Sequence, residues 1–511
     1  MNRNSVIEQF ENKQFDLIII GGGATGLGTA LEAVTRGYSV ALIDRSDFAK
    51  ETSSKSTKLV HGGVRYLKNG DIKLVKEALA ERAFLLKNAP HLSHKTAFII
   101  PSYSHFHRLF YGIGLKVYDL LSGKGSLGSS RILSKKSTLE LLPRVKKEGL
   151  KGGVLYFDGQ FDDARFALTL ARTAHQKGAV LLNYCTAESL KIENGKIQGL
   201  NAKDTLTNQT FTIGGNYVVN ATGVHGEEWL RQAENQTPKV KLRASRGVHI
   251  VLNKEFLPGK NALMVPSTTD GRVLFAVPWY DHLIVGTTDA ETKDVDIEPL
   301  ATNQEIDFIL ENAGNYLTKT PKRSDVLSVF SGLRPLISAE GKSSKALSRS
   351  HLVHISKTGL ISVLGGKWTT YRHMAEDAIN QMEMYFQLQK TTSVTQHLTL
   401  FGATSKRNDN SNWKQYGTEI ENVKQFGNSD SLTTEFFISE AQIRYAVEHE
   451  WAQKLEDILL RRTRGVFLNV EVAKRIAPKV VEILADALEK DAEWAKNELE
   501  EFLTLTQKYT L

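Results

Sequence analysis

The chain has 511 residues, 41% hydrophobic and 24% charged, a globular composition that excludes a disordered or collagen-like polymer. Its 65 Lys and Arg against 57 Asp and Glu leave a formal charge of +8, which suits an anionic ligand or an acidic membrane surface and is too modest to argue for nucleic acid. The single cysteine, Cys185, excludes an intramolecular disulfide and any cysteine-cluster metal site, so no metal is expected.

At roughly 150 residues per domain this length predicts two to four domains. No apolar run approaches the roughly 18–20 residues of a membrane-spanning helix. The first 14 residues are polar with mixed charge, and no signal peptide is expected there. Residues 15–20, FDLIII, read as a buried parallel strand. Gly21, Gly23 and Gly26 follow in G-x-G-x-x-G spacing, a helix is predicted over 29–36, and a second strand over 38–43 ends at Asp44. The spacing has a physical reason. The first glycine makes the tight turn, the second lets backbone approach a pyrophosphate, and the third lets helix and strand pack closely. The helix N-terminus offers N–H groups to phosphate, and Asp44 stands where a carboxylate accepts from a ribose diol. The motif alone does not separate FAD from NAD.

The next segment, 51–67, is dense in hydroxyls, glycines and bases. Thr52, Ser53 and Ser54 can bind a pyrophosphate, and small residues such as Gly62 beside His61 let backbone lie against a flat ring. Helical periodicity continues over 71–87, and Asp162 or Asp163 can N-cap a helix over 164–177. Strands are predicted near 180–184, 196–200, 217–220, 248–252, 273–277, 283–285 and 360–364, with an Asn194-Gly195 hairpin turn. The Asn-rich stretch 408–431 predicts a linker. The remainder reads as helical, with a capping box at Ser439 and a kink or break at Pro478. Residues 105–121 carry an apolar stripe, Leu109, Phe110, Ile113, Val117 and Leu121, flanked by bases. That pattern fits an interfacial helix, and fits a core helix or a homodimer contact equally well.

The combined motifs resemble the respiratory-type FAD-dependent glycerol-3-phosphate dehydrogenases, within the D-amino-acid-oxidase-like flavoproteins. The resemblance rests on the dinucleotide turn, the 52–67 segment, Asp162-Asp163-Ala164-Arg165, Asn220-Ala221-Thr222-Gly223 and Gly247-Val248-His249. It continues through Gly286-Thr287-Thr288-Asp289, Ser331-Gly332-Leu333-Arg334-Pro335 and Gly365-Gly366-Lys367-Trp368-Thr369. Two departures are Asp44, where such proteins more often carry Glu, and Arg246, where Lys is usual. Each keeps its chemistry.

The resemblance implies an α/β fold: a discontinuous Rossmann-like FAD-binding domain (1–88, 151–233, 352–390), an antiparallel-sheet substrate domain (89–150, 234–351), a linker (391–431) and a C-terminal helical domain (432–511). It implies FAD, oxidation of sn-glycerol 3-phosphate, and electrons passed to a membrane quinone. The expected location is cytoplasmic, peripheral to the inner face of the cell membrane. Arg65, Tyr66, Arg334 and Arg349 would face the substrate, since arginine forks suit a phosphate. A base poised near neutral pH favours histidine. His249, in an apolar strand, competes with the reading of a satisfied core histidine, and the resemblance favours the substrate pocket, with His61 second and closer to the flavin. Gly223 and Gly366 would border the cofactor, and Lys367 would place charge near the flavin or bind substrate. Two alternatives are an oxidase that hands electrons to oxygen, which usually carries an insertion this chain is expected to be too short to hold, and a non-catalytic FAD-binding module, which would not need the Arg and His set.

Overall fold

The computed structural model describes residues 2–63, 71–234, 240–338, 351–404 and 412–511. Two sheets organise it. In the first, strands His351–Ile355, Leu360–Gly365, Thr210–Asn220, Phe15–Ile20, Val40–Ile43 and Val180–Leu182 lie side by side in that order. All pairs are parallel except the first. Parallel strands need crossovers, and helix Ala24–Thr35 is the one between Phe15–Ile20 and Val40–Ile43. It is buried on nearly every side because helices Asp163–Gln176 and Tyr371–Tyr385 both pack on it.

The second sheet is mainly antiparallel and centres on two long strands, Lys241–Asn253 and Val326–Ser338, paired from Lys241 opposite Ser338 to Leu252 opposite Val326. His282–Gly286, Leu274–Trp279, Ala262–Val265, Ser93–Ser102, Gly152–Phe161 and Leu59–Val60 extend it. Leu59–Val60 and Gly152–Phe161 therefore belong to this sheet, although the sequence reading placed both stretches with the cofactor domain. Their pairing with Ser93–Ser102 is a long-range register that local pattern does not encode.

The C-terminal part is helical, with Glu440–His449, Val470–Ala487 and Ala492–Thr506 as its main helices. It shares one buried core with the second sheet, in which Phe330, Val251 and Ile284 meet Phe467, Leu459 and Val466. The Val470–Ala487 helix runs unbroken through Pro478, against the expected break. Pro478 lies on the exposed side of the helix. The expected linker is also structured where it is described. Helix Ile420–Lys424 buries Val423, and Tyr416 packs with it against Tyr445.

Buried ion pairs tie this helical part to the rest. Asp47 takes both Arg461 and Arg462. Lys50 meets Glu456 at 2.5 Å. Arg165 forks onto Glu450 with two bonds of 2.7 Å, its guanidinium 4.8 Å from the Tyr416 ring. Burial is the largest single effect on the Glu450 carboxyl and raises it, but the charge and hydrogen bonds of Arg165, with the charges of Arg172 and Arg462, together outweigh it and hold the group below its usual range. A carboxyl depressed in the folded state stabilises the fold above its unfolded pKa of ~4.3, and that contribution is lost as pH falls below that value. Glu450→Ala leaves Arg165 buried without its partner, and the expected loss is about 3–5 kcal/mol. Chemical denaturation of the holoprotein reads this directly, and a variant with the wild-type midpoint would mean the pair does not hold these parts together.

Candidate active site

Backbone conformation builds the first cavity. Strand Phe15–Ile20 ends at Gly21, whose φ of +109° suits only glycine and whose N–H donates to the Ile43 carbonyl at 2.9 Å. A Cβ on Gly26 would sit 1.8 Å from the Gly21 carbonyl oxygen, so helix and turn touch only because Gly26 has no side chain. Gly23 caps the helix. A Cβ there would meet nothing closer than the Ser53 hydroxyl at 3.1 Å, so its backbone lies open. Ser53 Oγ accepts from the Ala24 N–H at 2.9 Å. Asp44 accepts from the backbone N–H groups of Gly22, at 2.6 Å, and Ser46, at 2.8 Å, and burial raises its pKa to about 7.

Gly21, Gly23, Ala24, Asp44 and Ser53 line a cavity of ≈ 290 Å³ together with Gly223, while Gly26, expected at the cofactor, packs against the turn and lines neither this cavity nor the next. A second cavity of ≈ 290 Å³ holds His61, Gly63, His249 and Arg334. Thr52, Pro335, Gly366, Lys367 and Trp368 border both, so the two spaces meet along these residues. Trp368 fixes that junction: its Nε1 donates to the Ser53 carbonyl at 2.9 Å and its ring stands edge-on to Phe161, Phe166 and Tyr371. An extended dinucleotide fits this shape, with phosphates at an open helix N-terminus and a flat ring beyond the junction.

The second cavity is polar at one end. Strand pairing sets Arg334 opposite Ser245. Its guanidinium donates to the Thr288 carbonyl at 3.1 Å and the Thr287 hydroxyl at 3.0 Å, with Asp289 at 3.6 Å. It lies flat over Gly247, where a Cβ would come within 2.3 Å of Nη2. Glu305 braces the arrangement, bonding Thr288 Oγ1 and Arg246 at 2.9 Å each. His249 is buried, its ring stacked on Phe330 at 4.8 Å. The expectation of a base near neutral pH is not met. Burial, then the charges of Arg334 and Lys58, hold this imidazole well below its usual range and so neutral.

The structure thus gathers Gly21, Gly23, Asp44, Thr52, Ser53, Gly223, Gly366 and Lys367 around the first cavity, and His61, His249, Arg334 and Lys367 around the second. Ser54 and Gly62 line neither. The Ser54 hydroxyl turns back to the carbonyls of Lys50 and Glu51, closing its own turn. Gly62 gives its N–H to the Tyr118 hydroxyl at 2.8 Å and packs on Leu79, where a side chain would collide. Gly63 lines the cavity instead. Arg65, Tyr66 and Arg349 lie outside the described residues. Sequence reasoning gave no individual role to Thr57, Thr287, Thr288, Asp289 or Trp368. All fall inside the motifs quoted above, and each acts through a partner distant in sequence.

Residues 16–372 match the family described as FAD dependent oxidoreductase, and 356–495 match the C-terminal domain of alpha-glycerophosphate oxidase. The chain belongs to the FAD-dependent oxidoreductases. Its relatives include the mitochondrial glycerol-3-phosphate dehydrogenase of Homo sapiens, 39% identical over 95% of this chain and 72% of that one. The Arabidopsis thaliana protein of that name is 37% identical over 97% of this chain and 86% of that one. Among solved structures, the Bacillus halodurans glycerol-3-phosphate dehydrogenase complexed with FAD superposes with a TM-score of 0.81 at 30% identity, covering 99% of this chain and 97% of that chain. The Mycoplasma pneumoniae L-alpha-glycerophosphate oxidase, at 17% identity and a TM-score of 0.59 over 75% of this chain and 96% of that one, shares the fold. The cofactor of this oxidoreductase is FAD. Gly26→Ala is expected to force the cofactor helix off its turn and lower the flavin bound per mole of purified protein. Stoichiometric flavin in that variant would show that the turn tolerates the added methyl group.

Proposed function

We propose that this FAD-dependent oxidoreductase oxidises sn-glycerol 3-phosphate at C2 to dihydroxyacetone phosphate and passes the electrons to a membrane quinone. The observation that carries the reading is that a neutral buried histidine and an arginine fork share one cavity that opens onto the cofactor cavity. FAD, when bound, supplies the acceptor for the C2 hydride. The chain's own residues do the rest. Gly21, Gly23, Ser53 and the helix N-terminus hold the cofactor's phosphates. Arg334 binds the substrate phosphate, with Thr287 and Thr288 fixing the plane of its fork. His249 takes the C2 hydroxyl proton. A phosphate dianion beside Arg334 offsets one of the charges that suppress His249 basicity, so substrate binding itself readies the base. Lys367, where the cavities meet, sets a cation beside the negative charge that develops during the reaction.

Anaerobic bleaching of the flavin by glycerol 3-phosphate tests the activity, and reoxidation by quinone or by oxygen, run in parallel, distinguishes dehydrogenase from oxidase. Arg334→Lys keeps the charge but loses the fork, and the expected outcome is a raised KM for glycerol 3-phosphate with FAD retained. An unchanged KM would remove Arg334 from the phosphate site.

Among the described residues no helix is long and apolar enough to cross a membrane. Helix His105–Ser122 supplies a surface contact instead. Its buried side is Gly112, Leu115 and Tyr118, and its outer side exposes Phe106, Leu109, Phe110, Ile113, Val117 and Leu120. Leu121, expected on the outer stripe, turns inward, and Leu120 takes its place at 80% exposure. Residues 105–151 contain ten Lys and Arg against three Asp and Glu, an excess of seven within a chain of net +8. An exposed apolar stripe amid bases suits an anionic bilayer surface, each base held there contributing on the order of 1 kcal/mol. This supports a peripheral seat on the inner face of the cell membrane, within reach of a lipid-dissolved quinone. Phe110→Asp combined with Ile113→Asp alters only exposed positions. The expected result is loss of vesicle co-sedimentation and quinone turnover, with dye-linked turnover and thermal stability kept. Undiminished vesicle binding would sink the docking assignment. A shift from dimer to monomer without loss of vesicle binding would assign the face to a second copy of the chain.

A further inference from the structure

The packing of His249 leaves its ring with one polar handle among the described residues. Phe330 lies against one face, and Gly286 stands opposite His249 in the neighbouring strand, where a Cβ would come within 2.3 Å of the imidazole Cδ2. Nδ1 is buried and has no hydrogen-bond partner. Nε2 lies 2.9 Å from the hydroxyl of Thr57, and both side chains line the second cavity. Apolar packing fixes the plane of the ring. It does not decide which nitrogen carries the proton or hold the basic nitrogen toward the substrate.

The corner that carries Thr57 is heavily anchored. Lys58, next in the chain, has a φ of +61°, a conformation unfavourable for a residue with a side chain. Its buried ammonium holds it there, bonded to Asp163 at 2.8 and 2.9 Å and to the Ser54 carbonyl at 2.5 Å. On the other side of Thr57, Ser56 gives both its N–H, at 3.1 Å, and its hydroxyl, at 2.7 Å, to the same Asp163 carboxylate. Arg464, from the helical C-terminal part, completes the cluster with a bond to Asp163 at 2.8 Å. Residues 56–58 therefore span a single buried carboxylate; Ser56 and Thr57 both line the cavity, and with the Ser56 hydroxyl given to Asp163 it is the Thr57 hydroxyl that reaches His249.

We propose that Thr57 positions the catalytic base and relays to it: its hydroxyl holds Nε2 of His249 and carries the substrate proton to it, and the Lys58–Asp163–Arg464 cluster holds Thr57. The proposal rests on the reading that His249 takes the substrate proton. In the neutral state the Thr57 hydroxyl donates to the single lone pair of Nε2, which puts the ring hydrogen on Nδ1 and leaves the threonine oxygen's own lone pairs for the substrate hydroxyl. When the C2 hydroxyl gives up its proton, its O–H bond breaks as that proton passes to the Thr57 oxygen, and the hydrogen this oxygen held passes to Nε2, where an N–H bond forms. The C2 hydride leaves for the acceptor already named, and a carbonyl results. The threonine oxygen then accepts from the imidazolium. A hydroxyl serves both states of the ring, and a methyl group serves neither.

The test uses FAD-loaded enzyme and single-turnover reduction of the flavin by glycerol 3-phosphate without oxygen, comparing wild type, Thr57→Val, Thr57→Ser and His249→Gln. Thr57→Val keeps the shape and removes the hydroxyl. Its reduction rate is expected to fall about tenfold to a hundredfold, the scale of a misplaced reacting group, with KM for glycerol 3-phosphate changed less than about threefold. Thr57→Ser is expected to recover most of the rate, which a purely structural role for the methyl-bearing side chain would not allow. If the valine variant loses FAD, Thr57→Ala is read in its place. A Thr57→Val or Thr57→Ala enzyme as fast as wild type, or a serine variant as slow as valine, overturns the proposal. His249→Gln at the wild-type rate would overturn the reading of His249 as the base. A slow His249→Gln beside a fast Thr57→Val would overturn the positioning role alone.

Discussion

Buried carboxylates matched by buried arginines set the constraint on which this molecule depends. Asp47, Asp162, Asp163 and Glu450 are nearly inaccessible to water, and each meets at least one arginine. A carboxylate or guanidinium taken out of water costs several kcal/mol, and only close, multiply bonded partners recover it. The partners come from opposite ends of the chain: Asp47, Asp162 and Asp163 face Arg461, Arg462 and Arg464, and Arg165 faces Glu450. Neither end can bury its charges without the other. The helical C-terminal part is in this sense a component of the active-site architecture, because the loop it secures carries Lys50, Lys55, Lys58 and the residues between them.

The same constraint explains the contrast between the two cavities. One side of the first is built from backbone: glycine conformations, a helix end and two carboxylate-capped N–H groups, all local consequences of the first 55 residues, while Gly223, Gly366 and Lys367 border it from later segments. The second is built from side chains on strands that meet only through long-range pairing. His249 lies in the strand flanked by the one carrying Gly286 and the one carrying Phe330, and Arg334 reaches over Gly247 from that latter strand. Glycines at 247 and 286 serve there as vacancies that admit a guanidinium and an imidazole. This is a different use from the tight turn at Gly21. The low basicity of His249 follows from the same crowding. Burial and the flanking Arg334 and Lys58 charges hold the imidazole neutral.

Helix His105–Ser122 shows the opposite balance. Its inner face is tied down by Tyr118, which accepts from Gly62 and donates to Asp158 at 2.8 Å, while Arg82 bonds the other oxygen of that carboxylate. Its outer face is apolar and exposed. Both faces of the helix are therefore rich in apolar or aromatic residues, which is why its sequence suited an interfacial helix, a core helix and a dimer contact equally.

The sequence by itself determined the dinucleotide turn, the strand–helix–strand unit around it, a cap at Asp162 or Asp163 and another at Ser439, and the Asn194-Gly195 turn, where both residues have positive φ. Each of these depends on backbone conformation or hydrogen bonds within a few residues, so residue type and spacing suffice. Its motifs also placed His249, Arg334 and Lys367 among the candidates. Only the tertiary structure decided that Ser54 and Gly62 face away from the cavities, that the 59–60 and 152–161 strands join the second sheet, and that the helix continues through Pro478. It alone decided that Thr57 meets His249 and that Asp163 gathers Ser56, Lys58 and Arg464. Those outcomes turn on which distant residue occupies the other side of a contact. Burial, pairing register and the balance of desolvation against a charged partner are properties of two segments together, and neither segment contains them alone.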